Sequence, residues 1–180
     1  MFNSSSALEL AYVAVEEALR LKATYADARF EAVGRERVTV AGGRLAVADA
    51  STERGLGVRV LHGGAWGFAA VGEPTRHDVG VAVRRAVELA RAAAILQERP
   101  VELTPQAAER GVWRTPVQRD PLGVPLSDKV EALSALDGVL RGRARIATSQ
   151  ASFRSRRRRG VLVSSEGTEV EQDLVYTALE

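Results

Sequence analysis

The chain has 180 residues, of which 46% are hydrophobic and 27% charged, and its formal net charge is only +2. Such values are typical of a globular protein with one ordinary core, and the small net charge gives no reason to expect a nucleic-acid partner. The absence of cysteine excludes disulfides and thiolate metal sites, and it favours a cytoplasmic location. No apolar run approaches the roughly 20 residues of a membrane span and no signal-peptide pattern is present, so we expect no membrane association.

The first predicted element is an amphipathic helix. Ser6 and Glu9 have the spacing of a capping box, which marks a helix N-terminus. The apolar residues that follow recur at steps of four and three, as on the buried face of a helix: Leu8, Tyr12, Val15 and Leu19.

Alternating apolar and polar residues next predict four strands. The first strand runs from Asp27 to Val40, and Gly42-Gly43 forms a two-residue turn into a return strand that begins at Leu45. Residues 56–61 and 67–71 are predicted as the third and fourth strands. The sequence HGGAW joins them, and its glycines are expected to adopt positive φ at Gly63 or Gly64.

The second half predicts two more helices and three more strands. One helix begins near Thr75 with Asp78 as its capping partner, and another spans Ser127 to Arg141, after a proline-rich connector over 97–126. The strands are expected at about 143–154, 160–165 and 168–177. The predicted buried faces of these two helices are Val79, Val83, Val87, Ala90 and Ala94 in one, and Val130, Leu133, Leu136 and Leu140 in the other.

These elements predict an α+β fold in a single domain over residues 1–180. About three helices pack on a mixed or antiparallel sheet of about seven strands, in the order α-β-β-β-β-α-connector-α-β-β-β.

The glycine-rich stretch RGLGVRVLHGGAWGFAAV, residues 54–71, is the first candidate for a functional site. Glycines that bind phosphate lead into a helix N-terminus, whereas these lead into a strand, which favours a hairpin whose glycines serve geometry. Arg59 interrupts an apolar run, and alternation places it opposite Val58 and Val60. Arg59 is therefore either a solvated strand residue or a residue that binds a carboxylate through two of its nitrogens, and the first interpretation is favoured.

Aromatic residues in and beyond this stretch have two interpretations. Trp66, Phe68 and Trp113 are expected in the core or at a domain interface, with a partner-facing role as the alternative for Trp113. The candidate peptide or partner contacts are Arg59, His62, Gly64, Trp66, Phe68 and Trp113.

The sequence predicts no metal-binding or catalytic residue. His62 and His77 are the only histidines, and no His-Glu-x-x-His helix is present. The run Ser164-Ser165-Glu166-Gly167 lacks the strand-to-helix context of a nucleophile elbow and is predicted to be a hairpin turn.

The run FRSRRRRGV, residues 153–161, is the strongest basic stretch. Arg156, Arg157, Arg158 and Arg159 form either a patch for nucleic acid or an acidic protein, or a hairpin tip or edge strand whose charges oppose aggregation. The second interpretation is favoured, because the run lacks interleaved aromatic residues for base stacking beyond Phe153.

Several stretches in order are similar to the N-terminal domain of the TldD/PmbA family, also known as modulators of DNA gyrase. They are YADARFE, GLGVRVLHGGAWGFAAV, AVELARAAA, GVWRTPVQRDPLGVPLSDKVEAL and VLVSSEGTEVEQ, and the fourth resembles the TldD branch more than the PmbA branch. Together they run over nearly the whole chain.

The resemblance implies a cytosolic zinc metallopeptidase that acts on unfolded or small peptides. Such proteins are associated with peptide-antibiotic maturation and antitoxin turnover, and they form homo- or heterodimers that enclose a chamber. The family's His-Glu-x-x-x-His zinc helix and a further ligand lie in a C-terminal domain, which we expect beyond residue 180. No position in this chain matches that motif, so the chain is expected to bind no cofactor and to be inactive alone. Its expected role is in dimerisation and in shaping the chamber, with a binding module based on Arg156–Arg159 as the alternative.

Overall fold

The structure is a computed structural model that describes residues 3–180. Its helices are α1 (Ser4–Arg20), α2 (Arg76–Leu96) and α3 (Leu126–Arg141), with a short 3₁₀ turn at Pro121–Gly123. Its strands are β1 (Tyr25–Ala41), β2 (Arg44–His62), β3 (Ala65–Gly72), β4 (Arg110–Arg114), β5 (Gln150–Ser164) and β6 (Glu169–Leu179). No helix among these residues is long and apolar enough to span a bilayer.

The strands form one six-stranded mixed sheet in the order β3-β2-β1-β5-β6-β4. The β2–β3 pair is antiparallel and the β4–β6 pair is parallel. The predicted α+β class with three helices is confirmed, whereas the sheet has six strands instead of about seven.

The predicted number of strands differs from the observed number mainly because exposed polar stretches inside one strand predict a break between two strands. The predicted return strand and third strand are one 19-residue strand, β2, whose first half is almost wholly exposed. Likewise the predicted strands at 143–154 and 160–165 are the single strand β5, which begins only at Gln150. The connector in turn contains β4, all five residues of which are exposed. Backbone pairing does not require a buried face, so hydrophobic alternation misses such strands.

The chain divides into two compact units. Unit 1 comprises the chain up to Ala32, Glu53–Arg114 and Arg159–Asp173; unit 2 comprises Val33–Thr52, Thr115–Arg158 and Leu174–Glu180.

In unit 1, α1 packs mainly through alanines; of the predicted stripe, Val15 is buried and Leu8 is half-buried against the core. Its N-cap is Asn3, so the predicted capping box at Ser6 is wrong. Tyr12 and Leu19 are 39% and 42% exposed, while the buried positions are Ala7, Ala11, Ala14, Val15 and Ala18. Small side chains let a helix approach its neighbours closely, and here they replace the larger residues on the buried face.

The start and the buried face of α2 agree with the sequence. Thr75 caps the helix and forms a capping box with Asp78. The predicted positions Val79, Val83, Val87 and Ala90 are buried, whereas Ala94 is only half-buried. Helix α2 lies so close to β3 that a β-carbon on Gly67 would be 1.9 Å from the carbonyl oxygen of Ala86.

In unit 2, α3 combines an apolar contact with a buried carboxylate. Leu133 is buried with Val38, Val40 and Ala151, while the other predicted face residues of α3 are half-buried. Asp137 is fully buried and accepts hydrogen bonds from the Ser149 hydroxyl (2.7 Å), the Gly43 amide (2.6 Å) and Arg141 Nε (2.9 Å).

The Asp137 carboxylate therefore ties the β1–β2 turn to the helix. The hydrogen bond from Ser149, with those from Gly43 and Arg141, holds the pKa of Asp137 below its ordinary value despite burial.

Candidate functional site

The predicted glycine turn is a tight hairpin between β2 and β3. Both central residues have positive φ, 60° at Gly63 and 77° at Gly64, as a type I′ turn requires. His62 and Ala65 face each other across it, and a β-carbon on Gly64 would be 2.5 Å from the β-carbon of Pro100. The prediction that these glycines serve geometry is confirmed.

The hairpin places aromatic residues and one arginine on the sheet face opposite α1 and α2. Arg59 pairs with Phe68 and Leu61 with Trp66, so these side chains share a face. Val58 and Val60 point to the other face, into the core below the helices. We call the group Tyr25, Asp27, Arg59, Trp66 and Phe68 the aromatic face.

An ion pair between a half-exposed arginine and a buried aspartate is the centre of the aromatic face. The Arg59 Nε and Nη2 atoms donate to Asp27 Oδ2 at 2.8 and 2.7 Å. The Asp27 side chain is only 5% exposed and that of Arg59 is 46% exposed. Arg59 therefore binds a carboxylate, as one of its two interpretations held, and the carboxylate belongs to the chain itself. The sequence predicts Asp27 only as the start of the first strand, although opposite charges on the polar sides of two predicted strands, at Asp27 and Arg59, are a usable signal for a pair.

The ring of Trp66 holds the other side of the guanidinium. Arg59 Cζ lies 4.7 Å from the centre of the Trp66 ring, a cation–π distance. Tyr25 meets the same ring edge-on, with centroids 5.8 Å apart and planes at 87°. Burial, the Asp27 charge and a hydrogen bond to Asp27 raise the pKa of Tyr25, so its hydroxyl stays protonated at neutral pH. The cluster is thus a polar and aromatic surface whose side chains are held by an ion pair and ring contacts.

Phe68 and Trp113 are exposed, so neither lies in a core; a domain interface for both, or a partner-facing role for Trp113, stays a prediction. Phe68 is 60% exposed on β3 and Trp113 is 64% exposed on β4. These strands are the two edges of the sheet, where a side chain has a strand neighbour on one side only. Five strand spacings separate the edges, about 24 Å, so Trp113 is not brought to the aromatic face.

The remaining candidate contacts, His62 and Gly64, lie off the aromatic face. His62 Nε2 accepts a hydrogen bond from Arg91 Nε at 3.5 Å, on the α2 side, and its Nδ1 is buried without a partner among residues 3–180. Gly64 is in the turn, where its carbonyl accepts from the Val101 amide and the Gln97 side chain.

The histidines do not fit the zinc that the family resemblance implies for a peptidase. A guanidinium beside His62 disfavours a cation there, and His77 is in the exposed first turn of α2. Within the described part of the chain, no three histidine, aspartate or glutamate side chains are grouped so as to hold a metal ion.

The arginine run lies in β5, between β1 and β6, so its predicted place at a hairpin tip or an edge strand is wrong. Strand alternation directs Arg156 and Arg158 to one face and Arg157 and Arg159 to the other. Arg157 pairs with Asp120 at 2.5 Å and Arg159 with Asp173 at 3.4 Å. Carboxylates therefore compensate part of the run, and its charges do not form one continuous patch. The turn predicted after it, at Ser164–Gly167, is confirmed, with φ of 91° at Gly167.

Comparison with known proteins finds a match to part of the chain and a shared fold. Residues 26–94 match the family model for PmbA/TldA metallopeptidase domain 1. No curated protein sequence matches the chain. Three solved structures share the fold at low sequence identity.

A proposed modulator of DNA gyrase from Bacteroides thetaiotaomicron has a TM-score of 0.80 and 17% identity, over 99% of this chain and 41% of that one. TldE from Thermococcus kodakarensis has a TM-score of 0.72 and 16% identity, and the match covers 95% of this chain and 38% of TldE. A proposed gyrase modulator from Thermotoga maritima has a TM-score of 0.70 and 12% identity, and the match covers 96% of this chain and 38% of that protein. The chain thus spans about two fifths of the length of these proteins.

Proposed function

We propose that the chain is the N-terminal, non-catalytic domain of a TldD-like zinc metallopeptidase of the TldD/PmbA family. The match of residues 26–94 to a metallopeptidase first domain carries the proposal. The poor fit of His62 and His77 to zinc supports it, because cleavage then needs a metal centre supplied by other polypeptide.

The activity, the assembly and the location of the whole enzyme are proposed from the family resemblance. The assembled enzyme degrades or processes unfolded or small peptides, works as a homo- or heterodimer with a TldD/PmbA-like subunit, and acts in the cytoplasm. This domain contributes to the dimer and to the wall of the substrate chamber. Assignment to the TldD branch stays a prediction.

Metal content and peptide cleavage by the purified chain test the proposal. We expect zinc far below one ion per chain after dialysis, and no cleavage of a fluorescent unfolded peptide above a chelator-treated control. One zinc per chain together with chelator-sensitive cleavage would overturn the non-catalytic role. A His-Glu-x-x-x-His segment in the same gene, downstream of residue 180, is the expected genetic counterpart.

Within this function, we assign peptide contact to the aromatic face and the adjoining edge of β3. His62 and Ala65 close the type I′ turn as a hydrogen-bonded pair, so Trp66, Phe68 and Ala70 direct their backbone N–H and C=O groups away from β2. Strand β3 is a sheet edge without charged residues or proline in AWGFAAVG. Such an edge accepts an extended peptide by strand addition. Arg59 contributes less directly, because two of its nitrogens are already bound to Asp27.

A photocrosslinker placed at one sheet edge and then at the other tests strand addition. Phe68 and Trp113 are matched controls, because both are aromatic and 60% and 64% exposed. With benzoylphenylalanine at each position in turn, an unfolded peptide is expected to form adducts at position 68 and not at 113. Adducts at 113 alone would move the contact to β4, and equal labelling of both would show that exposure, not strand addition, determines the contact.

A further inference from the structure

Unit 2 contains a cavity of about 400 Å³ that the proposed peptidase role does not use. The connector segment around Val117 and Val124 forms one wall, and α3, β5 and β6 contribute Lys129, Phe153 and Val175. Its volume lies in the range of small-molecule sites, roughly 300–1,000 Å³.

The notable group in this cavity is a buried lysine. The Lys129 side chain is 5% exposed, and its ammonium donates to Glu36 Oε2 at 2.5 Å. Glu36 is the only hydrogen-bond acceptor of this ammonium among residues 3–180. The ammonium also lies 5.7 Å from the centre of the Phe153 ring. A lysine has three N–H donors, so donors of Lys129 that Glu36 does not use are available to an acceptor in the cavity.

The walls of the cavity are apolar apart from two cations and two threonines, Thr115 and Thr177, and no carboxylate lines it. Lys129 and Arg119 both line it, whereas their acidic partners Glu36 and Asp128 do not. A ligand in this cavity therefore meets two cationic donors and apolar side chains, among them Val117, Phe153 and Val175. That combination favours an anionic head on an apolar body over a free inorganic anion, since the anion alone would leave the apolar wall uncovered.

We propose that this cavity binds a small organic carboxylate with an apolar body, with Lys129 as the principal donor to the carboxylate and Arg119 as the second. A free carboxylic acid and the C-terminal residue of a short peptide present the same chemistry. The inference depends on unit 2 alone and stands or falls separately from the peptidase role.

Titration of the 180-residue chain with paired probes tests the proposal. Hexanoate represents a free acid and N-acetyl-leucine a peptide C-terminus; hexanamide and N-acetyl-leucinamide are their uncharged controls. By amide-resolved NMR we expect shifts at Val117, Phe153 and Val175, with a Kd of about 1 mM for a ligand of this size. Each amide control should bind at least about tenfold more weakly, because it loses the charge-assisted hydrogen bonds.

Comparison of the two acids identifies the source of the ligand. Tighter binding of N-acetyl-leucine indicates a peptide end, and tighter binding of hexanoate indicates a free acid. Equal shifts with acids and amides, shifts confined to other residues, or no shifts at all would overturn the proposal, the last showing that the cavity holds only water. This comparison needs no variant, so it does not depend on a substituted chain that folds.

Variants then assign the donors. The double variant Lys129→Met with Glu36→Gln removes the ammonium without leaving a buried charge, and we expect it to weaken acid binding at least about tenfold. Arg119→Gln, at a side chain 72% exposed, should weaken binding a few-fold. Arg84→Gln, at an exposed arginine of unit 1, is the control and should leave binding unchanged. Binding that survives the double variant would exclude Lys129 as the donor.

Discussion

Replacement of Arg59 by methionine tests how the ion pair of the aromatic face stabilises the protein. The substitution keeps an apolar chain against Trp66 and leaves the Asp27 carboxylate with only 5% exposure. Its other cation, Arg29, is 3.8 Å away and 60% exposed. Removing one partner of a buried ion pair lowers the free energy of unfolding by about 3–5 kcal/mol. We expect the lower end, about 3 kcal/mol, because Arg59 is itself 46% exposed and Arg29 compensates part of the Asp27 charge.

The converse substitution, Asp27→Asn, should cost much less. It leaves Arg59, which is 46% exposed and can be hydrated in place, and the new amide oxygen still accepts one hydrogen bond. We expect a loss of about 1 kcal/mol. The double variant should cost less than the sum of the two single variants, because no unpaired buried charge remains in it.

Urea unfolding followed by circular dichroism measures the three free energies. For a chain of this length, a loss of about 3 kcal/mol corresponds to a fall in Tm of about 6–12 °C. Equal losses for the two single variants, or strict additivity in the double variant, would refute the argument that the buried carboxylate needs Arg59. A change in m-value would instead indicate an altered folded or unfolded state.

Three further predictions concern packing, pH and the arginine run. Gly67→Ala places a β-carbon 1.9 Å from a backbone oxygen of α2 and should lower the free energy of unfolding in urea by more than about 2 kcal/mol. The control Gly111→Ala, whose β-carbon would have no atom within 4 Å, should change that free energy by less than about 0.5 kcal/mol. The folded-state pKa of Asp137 lies below its unfolded value of about 3.9, so its contribution to stability is present above that pH and is lost as the pH falls through the folded pKa. Asp137→Asn should accordingly be less stable at neutral pH and lose less stability on acidification; parallel pH–stability curves for the two proteins would contradict this. Arg157→Gln, which breaks the pair with Asp120, should cost about 1 kcal/mol and the exposed Arg156→Gln almost nothing, and the reverse order would show that the ion pair is not stabilising.

Local structure could be predicted from the sequence at the start of α2 and at the β2–β3 turn, where one short segment determines it. Thr75 and Asp78 form their capping box within one helical turn, and Gly63 and Gly64 adopt the φ values that a two-residue turn requires. These features depend on neighbours in the chain. The family resemblance was readable for a related reason, since the order of several segments is a property of the sequence.

Tertiary structure decided which strands join, which residues are buried and where charges find partners. The two predicted strands on either side of the polar run at 49–54 are one strand, β2, because backbone pairing continues through residues that bury nothing. Asp27 and Arg59 are 32 positions apart and form a pair only when their strands lie together. Lys129, which is outside the predicted apolar face of its helix, is buried against Glu36 across 93 positions. Hydrophobic periodicity reports which side of an element is apolar, but a buried charge depends on a distant partner that no local pattern contains.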